Sequence, residues 1–453
     1  MALSGESLPV TREIARWIAN PAVDPVTPAA SLRATHAAID WFAVAIAGSQ
    51  EPVVEALLNQ QKNESGRGYL IGHLQQLPMP FAALINGTAS HAVDYDDVNR
   101  RMRGHPTVTI LPALLALAQE RSCSGKAVIE ALVRGTEVAA IVGEMLGETH
   151  YTMGFHNTAT VGCIGAAAAC CSLLGLDEQH SLMAIGLATT QAAGLRAMFG
   201  SMAKPLHAGR AAMSGLLAAT WAEAGVTAAT DALESAKGLG ATQSKSFQIK
   251  VIRADSSQSF AIEENLFKYH AACYYTHAAL DTTRQAMQEF GGRLDDVSLV
   301  EIDLHNSLDN VCCIESPGDG LAVKFSLQHL VAMVLAGWDT ADISIYNSDC
   351  ATDPELVALR SMVRIRSATD LDRMQSRVRV QFTNGSISEY HGDAGQVEVD
   401  DEIQTERLRA KFDALVSPLL GTQVTHQLHQ HLATISDCDR VDDLMKTTRL
   451  THV

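Results

Sequence analysis

The first half of the chain carries apolar residues at helical spacing. Ile14, Trp17 and Ile18 lie on one side of a predicted helix, since residues three and four apart share a face of an α-helix. The same spacing continues from 37 to 46 and stops at Gly48, a residue typical of helix ends. Residues 10–60 are therefore predicted to form two or three helices, and two more are predicted over 81–93 and 126–147.

The last third of the chain changes to the spacing of strands. Val300, Ile302 and Leu304 alternate with polar residues, which is the period of a half-buried β-strand. Two further alternating runs are joined around Asn384-Gly385. That dipeptide between two such runs predicts a β-hairpin with a type I′ turn.

These elements predict a mainly α protein with two domains. A helix is predicted over 325–336, between the strands, and helical spacing returns in the tail from 402 to 445. The large domain is predicted to be all-helical and to combine residues 1–262 with 402–453, while residues 263–401 form a smaller α+β domain. A length of 453 residues fits two domains, because a single hydrophobic core seldom grows beyond about 250–300 residues.

The stretch from Thr149 to Arg210 is unusually rich in Ala, Gly, Ser, Thr and Cys. Small residues allow helices to pack closely, so titratable groups placed among them lose water, and this shifts their pKa values. The groups in this stretch are His150, Tyr151, His156, Lys204, His207 and Arg210. We therefore predict that the stretch forms the inner wall of an active site. Part of it, residues 158–176, is long and uncharged enough to span a membrane, but its Ala and Gly content favours a buried helix.

Composition limits which binding partners and which cellular compartment are expected for the protein. The formal net charge of −17 argues against nucleic acid and anionic membranes as partners, and an anionic substrate would need a local cluster of positive charge. Nine cysteines without CxxC spacing indicate reduced thiols and a cytoplasmic protein. The N-terminal residues show no secretory signal pattern.

Motif searches leave general acid–base chemistry as the expected activity. The sequence has no GxSxG, no GxGxxG after a strand, no P-loop and no HExxH. It offers instead histidines, lysines, a tyrosine and carboxylates, which are the residues that move protons near neutral pH and hold anions. Pro106 disfavours helix at His105, so that imidazole is predicted on a loop before a helix starting near Thr107, whose N-terminus suits a carboxylate.

Several of these residues also have a structural interpretation. His105 could bond only to backbone, His156 could cap the helix that follows it, and Lys268, Cys273 and His277 could be ordinary residues of a helix face. The triplet Arg100, Arg101 and Arg103 is expected to be a solvated run paired with the preceding aspartates. A divalent metal held by His91, Asp94, Asp97 and His105 is a further alternative.

Four segments together resemble the MmgE/PrpD superfamily. They are HAVDYDD with GHP at 104–106, GFHNTATVG at 154–162, GSMAKPLHAGRAA at 200–212, and K-x-H-x-x-C-x-x-x-H from Lys268 to His277. The resemblance implies a large helical domain, built from the N-terminal half and the C-terminal tail, with a smaller α+β lid domain. It also implies a homodimer with no metal and no organic cofactor.

Carried over by motif, the resemblance implies a set of residues around the substrate: Asp94, His105, His156, Lys204, Lys268 and His277. We expect a cofactor-independent lyase that acts on a small di- or tricarboxylate, by decarboxylation of a cis-aconitate-like acid or dehydration of a citrate-like acid. The residues assigned to catalysis are His105, His156, Lys204, His277, Asp94 and Tyr151, and those assigned to substrate binding are Lys268, Arg210 and His207.

Two alternatives remain beside this expectation. Tyr151 resembles the epimerase branch of the superfamily, so the protein could instead be an epimerase or isomerase of a small dicarboxylate such as iminodisuccinate. A non-catalytic carboxylate-binding homologue is the second alternative, and the presence of all six motif residues argues against it.

Overall fold

The computed structural model describes residues 9–253, 255, 257–291, 294–309 and 311–449. The chain forms two compact units, the first made of residues up to 267 and from 399 onwards, the second of residues 268–398. The fold is mainly α, as predicted. Up to residue 267 the elements are α1 (Val10–Ala19), α2 (Pro28–Ala47), α3 (Pro52–Gln60), β1 (Gly68–Tyr69), β2 (Gln76–Leu77), α4 (Met79–Ala92), α5 (Thr107–Arg121), α6 (Gly125–Thr152), α7 (Asn157–Leu174), α8 (Glu178–Thr189), α9 (Ala203–Glu223) and α10 (Leu239–Gln243).

Glycines allow the central helices of this unit to approach closely. A Cβ on Gly209 of α9 would overlap the carbonyl group of Leu84 in α4, and one on Gly87 would lie 2.9 Å from the Cα of Gly209. A Cβ on Gly165 of α7 would lie 2.9 Å from the Cβ of Ala139 in α6. Distances this short exclude any side chain, so the small residues set the spacing of the helices and hence the positions of their ends.

Helix α7 is long and apolar enough to cross a membrane, and 83% of it is buried within the fold. Its run of Ala, Gly and Cys packs against α5, α6 and α9. The helix is therefore a core helix of the first unit, and the expectation of a buried helix is confirmed.

The second unit contains a four-stranded sheet. Strands follow the order β4-β3-β5-β6, with β3 and β4 parallel and the other pairs antiparallel. Leu280 and Leu330, from two of its helices, share a buried core with Val300, Ile302 and Val378 of the sheet. Its elements are α11 (His277–Glu289), β3 (Val297–His305), α12 (Gly320–Val323), α13 (Leu327–Leu335), α14 (Ser348–Thr352), α15 (Pro354–Arg360), β4 (Val363–Ala368), β5 (Gln375–Phe382) and β6 (Ile387–Asp393).

The predicted strand and hairpin are present, but the predicted turn type is wrong. A type I′ turn needs positive φ at both central residues, whereas only Gly385 has one here, at +86°. The backbone N–H of Phe382 donates to Ser386, and that of Gly385 donates to Phe382. These bonds are those of a three-residue loop whose glycine forms a bulge, because the pairing of β5 with β6 leaves three residues to connect.

The tail returns to the first unit. Its helices are α16 (Asp401–Leu420), α17 (Thr422–Ala433) and α18 (Val441–Lys446). Lys411 of α16 is buried, and its Nζ lies 2.6 Å from Asp40 of α2 and 2.7 Å from the carbonyl oxygen of Tyr95. The tail thus holds the loop between α4 and α5, which carries Asp94, Asp96 and Asp97.

Candidate active site

Four helix ends meet in the first unit. His91 lies in the last turn of α4, His105 two residues before α5, and His156 immediately before α7; Lys204 is the second residue of α9. The ring centroid of His91 lies 4.8 Å from that of His105 and 6.2 Å from that of His156. The N-terminal ends of α5, α7 and α9 carry partial positive charge, so this place favours an anion.

Lys204 and Asp94 form a buried ion pair. The Lys204 ammonium lies 2.8 Å from Oδ1 of Asp94, and the two side chains are 10% and 7% exposed. Asp94 holds a left-handed backbone conformation, with φ +54°, which is uncommon outside glycine and is often found at functional sites. Lys204 is therefore shielded from water, as predicted for the titratable groups of the small-residue stretch. Its positive charge faces the carboxylate of Asp94.

Asp96 holds two imidazoles. Nδ1 of His91 lies 3.0 Å from each oxygen of Asp96, and Nδ1 of His105 lies 2.9 Å from Oδ2. Burial would raise the pKa of Asp96, but the imidazoles of His91 and His105 hold it well below its usual range. Burial lowers the pKa of His91 to about 4, although Asp96 opposes this. Asp96 is therefore an anion and His91 a neutral donor at neutral pH.

His156 pairs with His207. Their Nδ1 atoms lie 3.0 Å apart, so one of them carries a proton and donates it to the other. Burial, followed by the neighbouring His91 and Lys204, holds the pKa of His156 well below its usual value, and burial also lowers the pKa of His207. The side chain of His156 makes no capping hydrogen bond to α7, so the capping interpretation is wrong.

Asp97 faces away from this cluster. Its Oδ2 accepts hydrogen bonds from Thr107 at 2.6 Å and from Asn265 at 2.7 Å. Burial, followed by the charge of Asp40, raises the pKa of Asp97 to about 8. Asp97 is thus a neutral carboxylic acid at neutral pH, and its side chain fastens the start of α5.

The metal site suggested by the sequence is not assembled from those four residues, since Asp94 bonds to Lys204 and Asp97 to Thr107 and Asn265. His91, Asp96 and His105 do place ligand atoms within 4.8 Å of one another, a set that could hold an ion. Nδ1 of each imidazole lies 2.9–3.0 Å from an oxygen of Asp96, the length of a hydrogen bond, and a metal ion would have to displace these protons.

Three residues of the small-residue stretch have other surroundings. The ring of Tyr151 lies under the Arg196 guanidinium, with 3.8 Å between the Arg196 Cζ and the ring centroid. His150 is buried and bonds through both ring nitrogens, so it is a structural residue. Arg210 lies on α9 three residues after His207 and is exposed.

Lys268 and His277 belong to the second unit. Lys268 is 1% exposed and His277 3% exposed. His277 begins α11, stacks on Tyr274 with centroids 4.7 Å apart, and lies edge-on to His270 at 4.9 Å. Two buried titratable groups fit a functional interpretation better than an ordinary solvated helix face, and the roles assigned to them remain predictions.

Sequence reasoning gave no role to Asp96 and placed His91 only in a metal site. Both lie in the HAVDYDD segment, but the sequence does not show that a residue on the end of α4 turns towards a carboxylate five positions later.

The prediction that the arginine run pairs with the preceding aspartates is wrong for Arg101. Arg101 pairs with Glu137, Glu144 and Glu264, whereas the preceding aspartates bond to Lys204, to two imidazoles and to the start of α5.

The chain is similar to known proteins over most of its length. A family model described as the MmgE/PrpD N-terminal domain matches residues 12–252, and one described as the MmgE/PrpD C-terminal domain matches residues 270–434. A cis-aconitate decarboxylase of Aspergillus terreus (strain NIH 2624 / FGSC A1156) is 25% identical, over 96% of this chain and 94% of its own. The Homo sapiens protein of that name is 26% identical, over 82% of this chain and 80% of its own. The cis-aconitate decarboxylase-like protein oryM of Aspergillus oryzae (strain ATCC 42149 / RIB 40) is 32% identical, over 48% and 47%.

Proposed function

Because the chain belongs to the MmgE/PrpD family, we propose that it is a lyase that acts on a small di- or tricarboxylate by moving a proton next to a carboxylate. The observation that supports this most directly is the meeting of Lys204 with His91, His105 and His156 at the positive ends of three helices. Lys204 can hold an anion there, and the histidines can exchange a proton.

Binding of the substrate carboxylate is assigned to Lys204. Its ammonium is already partly neutralised by Asp94, 2.8 Å away, but the N-termini of α5, α7 and α9 add positive potential around it. Such local charge is needed to attract an anion to a protein of net charge −17. His207, which faces His156, and the exposed Arg210 on the same helix are proposed as further substrate contacts.

Proton transfer is assigned to His105, with His156 as the second candidate. Loss of CO₂ leaves an electron pair on carbon, which must then take up a proton. Loss of water requires a base for the carbon-bound proton and an acid for the departing hydroxyl group. Nδ1 of His105 is engaged by Asp96 and by the carbonyl oxygen of Asp97, so Nε2 is the atom that exchanges the proton.

The names of the relatives suggest which acids to test first. Purified protein would be incubated in deuterated water with cis-aconitate, 2-methylcitrate and related acids, and the products followed by NMR. We expect either a product that has lost CO₂ and carries deuterium at the carbon that takes up the proton, or a product that has lost water and gained no carbon-bound deuterium. Deuterium in recovered substrate without a new product would instead indicate an epimerase. Tight binding of one acid without any turnover would indicate a binding protein.

Variants then test the assigned residues. His105→Gln is expected to lower kcat by about 10²–10⁴-fold, the usual contribution of a general acid or base. His391→Gln is the matched control, because its side chain is 61% exposed on β6. Lys204→Met combined with Asp94→Asn removes the ion pair without leaving a buried charge, and should raise KM strongly. Wild-type kinetics in both the His105 and the paired variant would refute the assignment.

The proposal extends to the state of the protein in the cell. We propose a homodimer in the cytoplasm that works without metal or organic cofactor and binds neither nucleic acid nor membranes. The nine cysteines are free thiols, which supports a reducing compartment. Light scattering after gel filtration measures the oligomeric state, and activity after dialysis against a chelator, with metal analysis of the sample, tests cofactor independence.

A further inference from the structure

We propose that Asp96 is a positioning residue, whose carboxylate holds His91 and His105 together and keeps His105 in the tautomer that accepts a proton at Nε2. The inference deepens the proposed lyase function and rests on it for its kinetic part only. The residues carried over from the family resemblance do not include Asp96 or His91, although both lie in the HAVDYDD segment.

The hydrogen bonds fix where the protons are. Nδ1 of His105 lies 2.9 Å from Oδ2 of Asp96 and 2.8 Å from the carbonyl oxygen of Asp97. Ionised carboxylates and carbonyl groups only accept hydrogen bonds, so this nitrogen must carry a proton. The lone pair of a neutral His105 is therefore on Nε2. The same reasoning places a proton on Nδ1 of His91, which lies 3.0 Å from each oxygen of Asp96.

Burial makes the carboxylate a strong determinant of this arrangement. Asp96 is 1% exposed, and His91 is equally buried. In such surroundings a fixed negative charge attracts a hydrogen-bond donor more strongly than it would in water, so Asp96 orients the Nδ1–H groups of both imidazoles.

The imidazole of His91 fixes the orientation of Asp96. His91 lies at the end of α4, and its donation to both oxygens fixes the plane of the carboxylate that faces His105. A carboxylate held from one side by a rigid helix orients the imidazole on its other side, as carboxylates behind histidines do in many enzymes. Asp96 thus acts through His105 and is not proposed to touch the substrate.

The wild-type protein provides a test that needs neither substrate nor variant. NMR of protein with ¹⁵N-labelled histidine, treated with a chelator, should show a protonated Nδ1 and an unprotonated Nε2 for His105 and His91. An Nε2-protonated His105 would overturn the proposal. Loss of both Nδ1 protons to a tightly bound metal would also overturn it.

Substitution separates positioning from folding. In Asp96→Asn one carboxylate oxygen becomes an NH₂ donor, and because Nδ1 of His91 lies 3.0 Å from each oxygen, that donor faces it in either orientation of the amide. The tautomer signal of His91 should therefore change, and kcat should fall by about 10²-fold or more with KM little altered. Asp97→Asn places the same amide at the next position, where the side chain contacts Thr107 and Asn265 instead, and should keep the wild-type imidazole signals. Unchanged signals in folded Asp96→Asn, or an effect on KM alone, would contradict the proposal. If the wild-type protein turned over no acid, the lyase function would fail while the NMR result still decided the role of Asp96.

Discussion

Replacing Asp97 by asparagine should stabilise the protein, and increasingly so as pH rises. Burial and the charge of Asp40 raise the pKa of Asp97 from 3.8 to about 8. Between these two pKa values the folded state keeps the proton while the unfolded state loses it. Stability therefore falls as pH rises through this window, by about 1.4 kcal/mol per pH unit. Asparagine is neutral at every pH and lacks this loss.

The magnitude follows from the pKa difference. At pH 7, keeping Asp97 protonated costs the native state roughly 4 kcal/mol, because the unfolded carboxyl group would be ionised. The oxygen of asparagine can still accept from Thr107 and Asn265. Its amide nitrogen takes the place of Oδ1, a buried atom with no hydrogen-bond partner among the described residues, and an unsatisfied donor costs about 1–3 kcal/mol. We therefore expect a net gain of roughly 1–3 kcal/mol at pH 7, which turns into a net loss of about 1–2 kcal/mol near pH 4, where only the cost of the unsatisfied donor remains.

Urea unfolding between pH 4 and 8, followed by circular dichroism, measures the difference between the two proteins. Asp24→Asn is the matched control. Burial acts to raise the pKa of Asp24, but its hydrogen bonds to Arg253 and Trp17 lower it overall. That variant should be destabilised by nearly the same amount from pH 4 to pH 8, because the lowered pKa of Asp24 confines its pH dependence to values near or below 3.8. A stability difference for Asp97→Asn that stays constant from pH 4 to pH 8 would refute the reasoning.

Two further predictions concern the packing that supports the site. Gly209→Ala should destabilise the first unit by about 3 kcal/mol or more, because the added methyl group overlaps the carbonyl group of Leu84. Thermal unfolding measures this loss. Gly318→Ala is the control, since a Cβ there meets open space, and it should unfold at the wild-type temperature. Lys411→Met should cost about 3–5 kcal/mol, since it removes the ammonium 2.6 Å from buried Asp40. Adding Asp40→Asn should recover part of that loss in urea unfolding, and no recovery would show that the pair is not what holds the tail.

Much of the architecture follows from local sequence. Helical spacing, with Gly48 at a helix end, and the alternation around Val300 are properties of neighbouring residues, so they predict helices and strands without knowledge of the fold. The small residues between Thr149 and Arg210 indicate close packing for the same reason. The residue types also limit the chemistry, since histidine and lysine without a nucleophile motif leave proton transfer and anion binding.

The tertiary structure decided which groups meet. Asp94, Asp96 and Asp97 are near neighbours in sequence, yet one pairs with Lys204, one holds two imidazoles and one is a neutral acid. Their partners come from α4, α5 and α9, and their pKa values depend on burial and on charges brought together by packing. Local periodicity carries no information on such contacts, and for that reason the role of Asp96 emerges only from the folded chain.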